Sequence, residues 1–173
     1  MDSLPIKNKV AESGILTLDL EQWVPMPQVK ALDMAELLEQ GLLLRESSFK
    51  EKLAQVDWKS YEGSEVAIYC STDAIVPQWS WMWLVRDAQA AGITAHMAHP
   101  KELFTRLFLE ALSTKVAQED AQLQKARVVV KGCGSGKVPT EAYAALVNLL
   151  APKVKSLMYG EPCSTVPVLK NKA

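Results

Sequence analysis

Three cysteines, Cys70, Cys133 and Cys163, carry the most evident chemistry in this 173-residue chain. Each is flanked by small residues: Ser71-Thr72, Gly132 with Gly134-Ser135-Gly136, and Ser164-Thr165. Such residues let backbone amides come close to a sulfur ligand. A thiolate is both a nucleophile and a soft metal ligand. Three converging thiolates point to Zn²⁺ or iron, with a fourth position open or filled by another group. They suit an iron–sulfur cluster equally well. Asp73, Glu161 and His99, each near an expected strand end, are the candidate fourth ligands. Lys131, Lys137 and Arg86 would add positive charge favouring the thiolate form. No Cys-x-x-Cys spacing is present, and free cysteine often serves only to fill a core, so packing competes as a reading for each thiol taken singly.

The elements around the cysteines explain why they are read together. Ile15 to Leu20 alternates as a half-buried strand, and the prolines of Trp23-Val24-Pro25-Met26-Pro27 break regular structure. Asp33 is placed to cap a helix through Leu38 that stops at Gly41. Leu42 to Leu44 reads as a short strand, and Ser48 with Glu51 has capping-box spacing for a further helix. From Glu65 onward, β-branched runs alternate with helical periods. Strands are expected at Val66–Tyr69, Ile93–Met97, Arg127–Lys131 and Val154–Tyr159; helices at 76–90, from Pro100 and on through Lys115 to Gln124, and from Pro139 to about Ala151. This order predicts an α/β fold: a mainly parallel sheet of four to six strands with covering helices. The expected organisation is one domain over 1–173, a mixed N-terminal part (1–63) followed by a βα-repeating core (64–170). Each cysteine then follows a strand. Because the strands of a parallel sheet end at one edge, the three thiols are expected on one carboxyl-terminal rim.

Competing signals are weaker. Gly132-Cys133-Gly134-Ser135-Gly136-Lys137 resembles a phosphate loop but has three residues between the relevant glycines instead of four, and Val138 follows the lysine. A looser anion nest is the remaining version of that reading. Trp79, Trp81 and Trp83 alternate as in a stacking platform, although on a helix these positions spread around the axis, so that some pack in the core and some line an interface. His96, in a strand, reads as a packed residue. No Gly-x-Ser-x-Gly elbow supports a serine hydrolase. Lys50-Glu51-Lys52 reads as a solvated helix face.

Composition narrows the classes. Nineteen Lys and Arg oppose 20 Asp and Glu, without the basic clustering that nucleic-acid binding needs. No apolar run reaches the roughly 18 residues of a membrane span. Met1-Asp2-Ser3-Leu4-Pro5 lacks a basic segment followed by an apolar one, and an odd, sparse cysteine count suits a reducing compartment, so a cytoplasmic location is expected. The apolar content, 49%, is compatible with a homodimer.

Tyr69-Cys70-Ser71-Thr72-Asp73-Ala74-Ile75-Val76-Pro77, Val128-Val129-Val130-Lys131-Gly132-Cys133 and Met158-Tyr159-Gly160-Glu161-Pro162-Cys163-Ser164-Thr165-Val166-Pro167 resemble an uncharacterised family of Bacteroidetes proteins carried as a domain of unknown function. The likeness extends to Gly14–Leu20 and Asp57-Trp58 and covers nearly the whole chain. It implies no activity. It does imply a genomic setting beside iron–sulfur cluster assembly components, and so those proteins as partners. His99 falls outside the family pattern, which favours Asp73 or Glu161 as fourth ligand. Three readings result. The first is a protein binding zinc, iron or an iron–sulfur cluster through Cys70, Cys133 and Cys163. The second is a thiol enzyme or persulfide carrier with Cys70 or Cys133 as nucleophile. The third is an interaction module whose partner surface comprises Val24–Pro27 and the three tryptophans, with structural cysteines.

Overall fold

The computed structural model describes residues 14–132, 134, 136–161 and 164–171. Apolar alternation and βαβ spacing produce the expected class: an α/β protein with mainly parallel pairing. The seven strands among the described residues divide into two sheets, each in its own compact unit. One unit combines the described residues up to Met26 with those from Phe108 onward; the other is Pro27–Leu107.

The first unit holds β1 (Ile15–Leu18), β5 (Arg127–Val130), β6 (Ser156–Glu161) and β7 (Ser164–Lys170), in the order β1-β5-β6-β7. The first three are parallel, and β7 returns antiparallel from β6. Val128, Val129 and Val130 are buried, as an apolar β-branched run in a parallel sheet should be. Helix α6 (Thr140–Leu150) buries Ala142, Leu146 and Leu150, one residue per turn, and Pro139 stands at its N-cap. The short α1 (Leu20–Trp23) and α5 (Asp120–Leu123) also belong here. Helix α4 (Pro100–Gln118) spans the boundary in sequence. The polar segment expected to continue it instead breaks at Glu119, which stands at the N-cap of α5.

The second unit holds β2 (Val29–Asp33), β3 (Glu65–Tyr69) and β4 (Ala95–Met97), all parallel in that order. Helix α3 (Gln78–Ala90) begins after Pro77 and buries Ser80, Leu84 and Ala88 at a spacing of four. Phe49, on α2 (Glu46–Leu53), is fully buried, with the Trp79 ring edge-on at 5.8 Å and Trp83 at 6.5 Å. Trp79, Trp81 and Trp83, expected to divide between core and interface, are all partly buried against this core.

Several local expectations are corrected. The Asp33-capped segment is one 3₁₀ turn, Met34–Leu37, and Leu42 to Leu44 forms no strand beyond an isolated bridge between Leu43 and Glu39. Helix α2 starts at Glu46 instead of at the Ser48 capping box, because the Ser48 hydroxyl donates to Glu39 Oε1 at 2.8 Å. A tertiary partner outcompetes the local one. Strands β2 and β7 went unanticipated. Only Leu32 is buried in β2, and β7 contains Pro167 and exposes Val166 and Val168, so neither carries a clear alternation. No helix among the described residues is long and apolar enough to cross a membrane.

Candidate functional site

Strands β1 and β5 end level with Tyr159 of β6, because Leu18 pairs with Val130 and Val130 with Tyr159. The residues just beyond these positions form a polar edge. Asp19 caps α1 by accepting the Glu21 amide at 3.2 Å, and its other carboxylate oxygen lies 3.3 Å from Lys131 Nζ. The Lys131 amide donates to the Leu18 carbonyl at 2.9 Å, which fixes the start of the glycine-rich segment against β1. On the other side, the Tyr159 hydroxyl donates to the Gly132 carbonyl at 3.1 Å. A Cβ at residue 132 would lie 2.9 Å from that tyrosine ring, so glycine is what allows the ring to close over the segment. Tyr143, on α6, packs edge-on to Tyr159 at 5.8 Å. Burial, and then the nearby Tyr159, Glu21 and Asp19, push the Tyr143 phenol above its ordinary pKa. Lys131 is therefore matched to a carboxylate, and the edge is otherwise rich in oxygen donors.

Cys133 and Cys163 lie outside the described residues, as does Ser135. Cys133 is three residues past Val130, the last of β5, and Cys163 falls between Glu161 and Ser164, the pair that closes the β6–β7 hairpin. Strand β5 is the parallel neighbour of β6. Glu161, expected near a strand end, is the last residue of β6 and half-buried.

Cys70 belongs to the other unit, one residue past β3. The expectation that one sheet carries all three preceding strands is thus corrected: β3 is in the three-stranded sheet, β5 and β6 in the four-stranded one. Length and alternation identify strands but not sheet membership, and the pairing partners that decide it are distant in sequence. The half-buried Cys70 thiol lies 3.4 Å from Thr72 Oγ1. Because that hydroxyl gives its proton to the Gly41 carbonyl at 2.6 Å, the thiol is the donor to it. Asp33, at the end of β2, accepts the Ser71 and Ala35 amides, each at 3.0 Å. Asp73 is exposed and makes no side-chain contact of this kind with the described residues.

The other candidates have structural partners. Exposed His99 accepts the Lys101 amide at 3.4 Å, and its ring lies 5.3 Å from Tyr69. His96 Nδ1 is 2.9 Å from Arg106, which can only donate, so Nε2 carries the proton directed to Glu65 at 2.7 Å. Arg86 bonds its neighbour Asp87 and lies over the Trp83 ring. Among the described residues, no group of three or more His, Cys, Asp or Glu is arranged to hold a metal ion. Sequence reading missed Asp19, Tyr143 and Tyr159, whose partners are far away along the chain; Asp19 and Lys131 are 112 positions apart.

A family model described as a protein of unknown function (DUF2480) matches residues 5–171. Neither a curated protein nor a solved structure matches the chain.

Proposed function

The chain belongs to the DUF2480 family of proteins of unknown function, and from that premise we propose that it binds a soft metal ion, zinc or iron, or an iron–sulfur cluster, through cysteine thiolates at the carboxyl edge of the four-stranded sheet. The supporting observation is the parallel pairing of β5 with β6, in which Val130 and Tyr159 stand opposite each other. Cys133 and Cys163 are within four residues of that pair on the segments that leave it. The Tyr159–Gly132 hydrogen bond ties the two segments together at their roots. Two thiolates favour a soft cation over a hard one. Pairing Lys131 with Asp19 removes a positive charge that would oppose cation binding. Glu161, in the same unit, is the additional oxygen donor on this reading, and an iron–sulfur role would make cluster-assembly proteins its partners.

Protein prepared without oxygen and analysed for zinc and iron tests the proposal. Stoichiometric metal is expected in the wild type, with loss in Cys133→Ala and in Cys163→Ala. Wild-type protein that takes up neither metal, or a double variant that retains it, would refute the proposal. Loss in Cys70→Ala as well would bring the third thiol into the ligand set. A metal-free protein in which Cys70 or Cys133 alone alkylates rapidly would favour the nucleophile reading instead.

A further inference from the structure

The unit formed by residues 27–107 contains a cleft of about 440 Å³, within the range of small-molecule sites. Part of its wall is apolar, with Leu32 and Leu37 buried and Val56 half-buried. Its polar groups divide by whether the fold already uses them. Asp33 is occupied by two backbone amides. Lys52 is held to the wall, donating to the Glu36 carbonyl at 3.2 Å and the Leu38 carbonyl at 2.6 Å. Lys30, from outside the lining, donates to the Ser60 carbonyl.

Glu36 and Asp57 differ from these, since neither carboxylate takes part in a side-chain hydrogen bond or ion pair with the described residues. Asp57 makes the point clearly. It stands at the N-cap of the 3₁₀ turn Trp58–Tyr61, where an aspartate normally spends its carboxylate on a backbone amide, and here it does not. Tyr61 lines the same cleft, half-buried, its ring tilted by 50° to that of Trp58 with centres 6.0 Å apart. Burial first, and then the charges of Glu36 and Asp57, raise the Tyr61 phenol above its ordinary pKa.

We infer that this cleft binds a small organic cation, an ammonium or guanidinium group on a short apolar stem, with the stem on Leu37 and Val56 and the charged head between Glu36, Asp57 and Tyr61. An anion would meet three lining carboxylates, Asp33, Glu36 and Asp57, against two ammonium groups, Lys52 and Lys30, that are already held by backbone carbonyls. A bare metal ion would find too few ligands, since no three ligating side chains converge among the described residues. An aromatic face beside two carboxylates suits an organic cation, which gains from both and loses less hydration than a metal ion.

NMR titration of the full chain with 1,4-diaminobutane and with butylguanidine, using sodium butyrate as the anionic counterpart, tests the inference. Saturable shifts at the amides of Leu37, Val56 and Tyr61 are expected with the cations, with a Kd of about 1 mM or tighter. Glu36→Gln combined with Asp57→Asn should weaken binding by about tenfold or more while leaving the circular dichroism unchanged, because both side chains are exposed. Cation shifts that do not saturate, a double variant that binds as well as the wild type, or butyrate that binds equally would each overturn it.

Discussion

Asp33 illustrates how much one side chain at a strand end can do. Its carboxylate accepts the Ala35 amide, which starts a 3₁₀ turn, and the Ser71 amide, which fixes the segment just after Cys70. Burial pushes this carboxyl's pKa up, but the hydrogen bonds from Ser71 and Ala35 outweigh burial and hold it below the ordinary value. The folded-state pKa thus lies below the unfolded one. The stability it contributes is fully present above about pH 4 and disappears as pH falls through the lowered folded value. Asp33→Ala should cost about 1–2 kcal/mol in urea denaturation near neutral pH, by removing the acceptor of two amides. The gap from wild type should shrink as the pH is lowered below about 4; a constant gap would show that the carboxylate charge is not the cause. Asp33 was legible in the sequence as a cap. Its second partner, 38 positions away, was not.

At the scale of elements, the β6–β7 hairpin depends on Gly160. Its φ of +125° lies in a region that residues with a Cβ rarely adopt, and a Cβ there would come within 2.5 Å of the Ser164 carbonyl oxygen. Gly160→Ala should therefore destabilise the protein by about 1–3 kcal/mol and loosen the pairing of Gly160 with Thr165, visible as faster amide exchange along β7. Unchanged exchange would show that the hairpin does not rely on this conformation. The central strands were readable because buried β-branched runs announce themselves, as Val128 to Val130 does. Edge strands were not, since β2 buries only Leu32 and β7 is interrupted by Pro167. Helix α2 was misplaced at its start for a related reason: Ser48 turned out to serve Glu39, a partner that spacing rules cannot see.

For the whole molecule, the division into two units matters most. The α/β class was legible; the distribution of strands between two sheets was not, because pairing joins segments as distant as Ile15 and Arg127. Of the candidate site, Cys70 was legible as a residue that follows a strand, whereas the polar edge of Asp19, Lys131 and Tyr159 came from topology, and Cys133 and Cys163 lie outside the described residues. Each unit has buried side chains of its own. Phe49→Ala should cost about 3–5 kcal/mol and alter tryptophan emission, since Trp79 and Trp83 pack on that ring. Trp23 lies in the other unit with its indole N–H donated to Glu119 at 2.9 Å. In Trp23→Phe, the remaining tryptophans, Trp58, Trp79, Trp81 and Trp83, all report on the 27–107 unit, so the emission change caused by Phe49→Ala should survive that substitution undiminished.

The same division sets an order of events on the ribosome. Strand β1 is made before the 27–107 unit, yet its partner strand among the described residues, β5, begins at Arg127. The whole of Pro27–Leu107 is made in between as one uninterrupted stretch. At about 5–20 residues per second, β1 waits on the order of ten seconds with its hydrogen-bonding edge unmatched. The carboxyl edge of the four-stranded sheet therefore cannot exist until β6 has been made through Glu161, and any cofactor held there must arrive after that point.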